Sequence, residues 1–142
     1  MTSCALGRVV GLPTACVLWV SLGDPRQYSS GPAYRKAMGL NLVEYSSGTY
    51  QGELRISKRG QPRVRRWLYL AVLRLIRQEG VRDWYRAKKA QGAKATKKAL
   101  VGVMRKLALA LYRVTVTGEA FEPRRLFPGV QTGAGSKAGR RR

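Results

Sequence analysis

The 142-residue sequence contains no histidine and only two cysteines, Cys4 and Cys16. Without histidine and without a C-x-x-C pair, the chain lacks the ligand sets of zinc fingers and the nucleophile and base of a Cys/His enzyme. We expect both thiols to be reduced, as is usual in cytosolic proteins.

Acidic residues are scarce, because 7 Asp and Glu stand against 28 Lys and Arg and leave a net charge of +21. The seven carboxylates are scattered and show no pairing typical of a magnesium site, so we interpret them as helix-end and surface charges. An excess of positive charge this large favours a polyanionic partner. The basic residues recur throughout the chain and are not gathered beside an apolar face, which favours nucleic acid over a membrane surface.

Long apolar runs are also absent, and no run reaches the ~20 residues that a membrane span needs. Residues 9–22 are apolar, but Pro13 interrupts them and Arg8 is the only basic residue directly before them. No clear cleavage site follows, so a secretion signal is not indicated. We therefore expect a cytoplasmic, nucleoid-associated protein with no membrane partner.

The apolar periodicity predicts a mainly α-helical domain over residues 1–127. It begins with an N-terminal helical hairpin that includes a buried helix over 13–22, and a short helix follows at 31–38. The segment 40–60 has three glycines and no sustained helical period, which predicts a central loop or short hairpin containing serine and glycine.

Three further helices are predicted after this loop, over residues 62–79, 81–91 and 96–114. The first is amphipathic with a basic outer surface, and the last has an apolar stripe with Thr96 as its N-cap and Gly102 at a close helix contact. Residues 128–142 consist mainly of Gly, Ser, Ala and Arg, which predicts a disordered basic tail.

Candidate chemistry is concentrated around the central loop. Ser47 stands beside Gly48, and six of the twelve residues from Arg55 to Arg66 are Lys or Arg. A serine next to a flexible glycine can present its hydroxyl to phosphorus, and guanidinium groups can stabilise the charge on phosphoryl oxygens. From the residues alone, a simpler interpretation is that the serines shape a turn while the arginines bind backbone phosphates.

A serine nucleophile also needs a proton acceptor, for which the local candidates are Glu44, Glu53 and Lys58, and none is convincing. Aromatic side chains could stack on unpaired bases. The periodicity places Trp67 in the core, whereas Trp84 and Tyr85 lie between basic residues and leave both interpretations open.

Several segments together resemble the C-terminal domain of the insertion-sequence transposases of the IS-one-ten class, also called the IS-one-sixteen and IS-nine-zero-two group. The resemblance covers about residues 8–127, and it rests on the order and spacing of its segments. These segments are GLPTA, LGDP and GLNLVEYSSG, then ISKRG followed by Val64-Arg65-Arg66, and finally KKALVGVMRKLALALY and FEPRRLF.

The resemblance implies a DNA-binding transposase domain in which a serine attacks a DNA phosphodiester, with a structured guide RNA that directs the choice of DNA. It implies a homo-oligomer when the protein is full length. Ser47 matches the catalytic serine of the family better than Ser46. The resemblance implies phosphate or RNA contacts near this serine, and the predicted nucleic-acid-binding residues are Arg55, Lys58, Arg59, Arg63, Arg65 and Arg66.

The sequence departs from the family in two ways. Family members carry an N-terminal resolvase-like domain with four acidic residues that bind magnesium, and this sequence does not contain it. We therefore expect no cofactor in this chain, magnesium from a missing or partner acidic domain, and an inactive isolated chain. The family usually has Gly-x-Gly where this sequence has Val9-Val10-Gly11, which predicts a structural hairpin with weakened DNA contact.

Two alternatives stay open beside the transposase interpretation. The first is a truncated, non-catalytic relic that still binds nucleic acid. The second is a small structural RNA-binding protein in which the serines only shape a turn.

Overall fold

The computed structural model describes residues 2–44, 47–49, 52 and 54–127. Helices dominate this part of the chain, which confirms the predicted mainly helical class. The predicted disordered tail, residues 128–142, lies outside the described residues. Within the described ranges, no helix is both long enough and apolar enough to cross a membrane.

The chain begins with the predicted helical hairpin, formed by α1 (Thr2–Val10) and α2 (Leu12–Leu22). Gly11 joins the two helices with a φ of +87°, a left-handed conformation that glycine adopts without steric cost. The prediction of a buried second helix is wrong in part, because Val20 is 85% exposed. Only Thr14, Ala15 and Leu18 of α2 are buried.

Helix α3 (Gly31–Ala37) confirms the predicted short helix. Its first turn is capped by Ser30, whose Oγ accepts a hydrogen bond of 3.3 Å from the backbone N–H of Ala33. Gly39 ends the helical segment with a φ of +76°. A short 3-10 helix, Pro25–Gln27, connects α2 to α3.

The central segment forms a two-stranded antiparallel hairpin, in agreement with the expected loop or short hairpin. Strand β1 (Leu42–Glu44) pairs with β2 (Leu54–Ile56), and Val43 lies opposite Arg55. The loop that joins the strands contains Ser47.

The three further helices are α4 (Pro62–Leu75), α5 (Val81–Lys89) and α6 (Ala95–Thr117), followed by a 3-10 helix at Pro123–Leu126. The predicted N-cap of α6 is wrong. The N-cap position belongs to Lys94, because the backbone N–H of Ala95 already bonds to the oxygen of Gly92 and leads the chain into the helix earlier. Thr96 therefore lies inside the first turn.

Helix α6 is the centre of the core, since it contacts α1, α3, α4 and α5. The predicted apolar stripes of α4 and α6 are largely confirmed, although Trp67 of α4, Ile76 directly after α4 and Ala110 of α6 are only half-buried. The buried members are Val64, Leu68, Ala71, Val72 and Leu75 of α4 and Leu100, Val103, Leu107, Leu111 and Val114 of α6.

The predicted close contact at Gly102 is also confirmed. A Cβ atom at this position would lie 3.1 Å from Cη2 of Trp84, so the glycine allows the indole of α5 to approach α6 closely. Trp84 also stacks against Phe127, with ring centroids 4.0 Å apart and an interplanar angle of 16°. The end of the described chain is thereby packed onto α5.

Candidate functional site

Ser47 is an exposed residue in the loop of the β hairpin. Gly48 follows it with a φ of +60°, and no described residue lies within 4 Å of the position that a Cβ would take there. The adjacent residues Tyr45 and Ser46, and the candidate proton acceptor Glu53, lie outside the described residues.

Backbone hydrogen bonds fix the base of the hairpin. The N–H of Ser57 donates to the oxygen of Asn41 at 2.7 Å, and the N–H of Lys58 donates to the oxygen of Gly39 at 3.2 Å. Lys58 adopts a φ of +53°, which is uncommon for a residue with a side chain. The turn after α3 and the segment after β2 are therefore held together, and Ser47 projects from a fixed stem.

The predicted nucleic-acid-binding residues lie on β2, directly after it and near the start of α4. Five of them are exposed, namely Arg55, Lys58, Arg59, Arg63 and Arg66. Arg63 and Arg66 lie near the start of α4, where the helix dipole adds to the positive potential. Whether these residues bind nucleic acid stays a prediction, but their exposure leaves them accessible to a phosphate backbone.

Arg65 differs from the other five, because it is half-buried and faces the body of the domain. Its Nη1 lies 3.5 Å from the backbone oxygen of Met38, at the end of α3. The same nitrogen lies 2.6 Å from the position of a Cβ at Gly39. Arg65 thus links α4 to the turn after α3 in this conformation.

A groove of about 560 Å³ lies between α3 and the base of the hairpin. It combines an apolar wall with two cationic side chains and two polar ones. The lining residues are Ala33, Lys36, Ala37, Asn41, Leu42, Val43, Ser57 and Arg59. Sequence analysis missed Lys36 and Asn41, because their position beside Arg59 depends on how α3 packs against the hairpin.

The described carboxylates are mostly engaged by nearby arginines. Asp24 accepts hydrogen bonds from Arg26, which lowers the pKa of this carboxyl group. Further ion pairs between described residues, with distances from 3.0 to 3.8 Å, are Arg82–Asp83, Arg113–Glu119, Arg124–Glu79 and Arg125–Glu122. No group of three His, Cys, Asp or Glu side chains in the described ranges could hold a metal ion, so these residues do not fit a magnesium site.

The aromatic residues of α5 belong to the core more than to an interface. Trp84 and Tyr85 are half-buried and packed against the core cluster, and one face of the Trp84 indole is covered by Phe127. The ammonium of Lys88 lies 5.9 Å from the centroid of the same indole. These contacts favour a packing role for Trp84 over stacking on a base.

A comparison with protein families matches residues 8–90 to the family described as "Transposase IS116/IS110/IS902 family". The chain belongs to this transposase family. The match covers more than half of the chain, including Ser47 and the whole basic segment 55–66. Comparison with curated proteins found no match.

Membership of the transposase family gives the chain a role in the transposition of insertion sequences and implies an interaction with DNA. The matched range runs from the end of α1 to the residue after α5. It therefore contains both the hairpin and the helix that follows it, while the central core helix α6 lies beyond the match.

Proposed function

We propose that this transposase chain binds DNA through its basic segment and that Ser47 attacks a DNA phosphodiester during transposition. The observation that carries the proposal is the exposed position of Ser47 on a hairpin anchored directly to the basic segment 55–66, in which five of the six cations are exposed. A nucleophile must reach the phosphorus, and exposure at a loop allows that approach. The family match supplies the biological context.

The proposed reaction is a transesterification. The Ser47 hydroxyl loses its proton, Oγ forms a bond to phosphorus, and the bond from phosphorus to one sugar oxygen breaks; that oxygen takes up a proton. The product is a phosphoserine linkage that conserves the energy of the phosphodiester. In strand exchange, a sugar hydroxyl of a second strand loses its proton and its oxygen forms a bond to the same phosphorus. The bond from phosphorus to Oγ of Ser47 breaks, and Oγ takes up a proton.

The cations around the hairpin have two roles in this proposal. Exposed guanidinium groups such as Arg55 and Arg59 hold backbone phosphates through paired N–H donors, which fixes the strand relative to Ser47. Positive charge close to the reacting phosphorus also stabilises the negative charge that develops on its oxygens. Lys36 and Arg59, which both line the groove, would hold one nucleotide between α3 and the stem.

The proton acceptor for Ser47 is not assigned to a described residue, since none forms a hydrogen bond with this serine. Because the described carboxylates do not fit a magnesium site, no step is assigned to a metal held by them. A missing or partner acidic domain would supply the magnesium, and a structured guide RNA would direct the choice of DNA. The full-length protein would form a homo-oligomer and would be associated with the nucleoid.

The decisive experiment compares Ser47→Ala with Ser46→Ala in a reconstituted recombination reaction that supplies the acidic domain and the element ends. We expect Ser47→Ala to abolish recombination and to leave DNA affinity unchanged, because the lost hydroxyl is the nucleophile but not a phosphate contact. Ser46→Ala should retain recombination. Full recombination by Ser47→Ala would exclude the assignment.

A nicked DNA substrate adds a direct chemical readout. On such a substrate the covalent intermediate accumulates, and denaturing electrophoresis should show a protein–DNA adduct that Ser47→Ala loses and Ser46→Ala keeps. If DNA binding is tight but neither the normal chain nor Ser46→Ala forms an adduct, the chain is a non-catalytic nucleic-acid-binding relic. Selective binding of structured RNA without adduct formation would instead support a structural RNA-binding protein.

A further inference from the structure

Two arginines lie near the turn that follows α3, each connected to Leu40 by a hydrogen bond. Arg35 is on α3 and Arg105 is on α6, and these two helices pack against each other. Nε of Arg105 donates a hydrogen bond of 3.0 Å to the backbone oxygen of Leu40. The N–H of Leu40 in turn donates to the backbone oxygen of Arg35. Both arginines are half-buried, so their charges are partly withdrawn from water.

The two positive charges act on each other. Burial lowers the pKa of Arg105, and the positive charge of Arg35 lowers it further. Nε of Arg35 is buried and has no hydrogen-bond partner among the described residues. A buried charged donor without an acceptor destabilises the fold, and a like charge beside it adds to that cost.

No described carboxylate compensates this pair. Five of the seven carboxylates of the chain form ion pairs with other arginines. Glu44 is exposed on β1, and Glu53 lies outside the described residues. In the part of the chain that the structure describes, Arg35 and Arg105 therefore have no anionic side chain paired with them.

We propose that Arg35 and Arg105 together bind one phosphate group of a nucleic-acid backbone at the junction of α3 and α6. Each guanidinium offers several N–H donors in a planar fork that matches two phosphate oxygens. Arg105 is already oriented by Leu40, which reduces the entropy lost on binding. The bound anion would supply the missing negative charge. This site goes beyond the serine chemistry and does not depend on it.

The first test measures the Tm of the full 142-residue chain in sodium phosphate and in sodium chloride of equal ionic strength. We expect phosphate to raise the Tm by about 5 °C at roughly ten times its Kd. Arg35→Gln and Arg105→Gln should lose most of this increase. Arg86→Gln removes the same charge from an exposed position of α5 and should keep it. Equal phosphate effects in Arg35→Gln and Arg86→Gln would overturn the proposal.

The Tm of Arg35→Gln in chloride distinguishes loss of the phosphate site from misfolding of the variant. Because the substitution removes the like charge beside Arg105, its Tm in chloride should equal or exceed that of the unmodified chain. A folded Arg35→Lys variant serves as the second probe, since it keeps the charge but lacks the planar fork, and it should retain less than half of the phosphate effect. A full phosphate effect in Arg35→Lys would contradict binding by the guanidinium fork.

The second test distinguishes a nucleic-acid phosphate from free phosphate. Affinity for a fluorescent duplex oligonucleotide is measured over a range of salt concentrations. One lost phosphate contact should reduce the slope of log K against log salt by about 0.9. We expect this reduction for Arg35→Gln and Arg105→Gln, together with a roughly tenfold weaker Kd. If inorganic phosphate stabilises the chain but the slopes match that of Arg86→Gln, the site holds free phosphate and the nucleic-acid assignment is wrong. Ser47→Ala leaves both measurements unchanged, so this test and the serine test fail independently.

Discussion

The guanidinium of Arg74 donates a hydrogen bond of 2.9 Å from Nη2 to the backbone oxygen of Val10, 64 positions earlier in the chain. Val10 is the last residue of α1, where backbone oxygens lack helical partners and the helix dipole favours a positive charge. Gly11 allows this approach, since a Cβ there would lie 2.9 Å from the same nitrogen. Arg74 thus fixes the N-terminal hairpin to α4.

Arg74→Ala should lower the free energy of unfolding by about 1–2 kcal/mol, because the oxygen of Val10 loses a charged donor. The measurement is urea unfolding followed by circular dichroism. Arg77→Ala is the matched control, because it removes the same charge from an exposed position shortly after α4. Its effect on the free energy of unfolding should stay within about 0.5 kcal/mol. Equal effects of the two variants would show that the hydrogen bond to Val10 contributes nothing.

Gly39→Ala should destabilise the domain more than Gly118→Ala, although the two glycines have similar φ values of +76° and +71°. Both substitutions force alanine into a left-handed conformation, which costs about 1–2 kcal/mol. At Gly39 the new Cβ would also lie 2.9 Å from the backbone oxygen of Arg59, whereas no described residue lies within 4 Å of a Cβ at Gly118.

We expect the additional contact to cost Gly39→Ala about 1–3 kcal/mol beyond the loss in Gly118→Ala. Urea unfolding of both variants measures this difference. Identical midpoints and slopes would mean that the base of the hairpin moves away from Gly39 at no cost.

Tyr34→Phe should stabilise the protein and change its response to alkali. Burial raises the pKa of Tyr34, so the folded chain favours the neutral phenol. The corresponding stability is fully present below the unfolded pKa of about 10 and is lost as the pH rises above it. The Tyr34 hydroxyl is also buried without a hydrogen-bond partner among the described residues. Its removal should therefore add about 1 kcal/mol at neutral pH.

The measurement is the free energy of unfolding of Tyr34→Phe between pH 7 and about pH 11, set against the unmodified chain. The control is Tyr69→Phe, because Tyr69 is 40% exposed on α4. Only Tyr34→Phe should reduce the alkaline loss of stability. A lower stability of Tyr34→Phe at neutral pH would indicate that the hydroxyl has a favourable partner.

The sequence was most informative where apolar residues recur on one face of a helix over several turns. Apolar residues of α4 and α6 recur with the helical period, so their buried faces could be predicted from the pattern. Gly102 also stood out, since glycine inside an apolar helix usually marks a close contact. Helix α2 was harder to interpret, because it is apolar on most of its surface and its pattern does not distinguish Leu18, which is buried, from Val20, which is exposed.

The candidate site was only partly predictable for a related reason. Ser47 and the cations from Arg55 to Arg66 are close in sequence, so composition and resemblance could single them out as candidates, and their roles stay a prediction. Lys36, beside Arg59 in the groove, and the pair of Arg35 with Arg105 are formed by elements distant in sequence. A single sequence contains no signal for such pairs, because they depend on the packing of α3 against the hairpin and against α6.

The stem of the hairpin has a consequence for how the family can diversify. Its backbone hydrogen bonds join residues 39–41 to residues 57–58, so the two ends of the intervening segment are held by the scaffold itself. Once these ends are fixed, doubling the length of a flexible loop costs only about 0.6 kcal/mol of closure entropy. Insertions and substitutions in this loop therefore leave the helical core almost unaffected. The sequence and length of the loop between β1 and β2, which contains Ser47, can therefore change in evolution or by design while the helical scaffold stays the same.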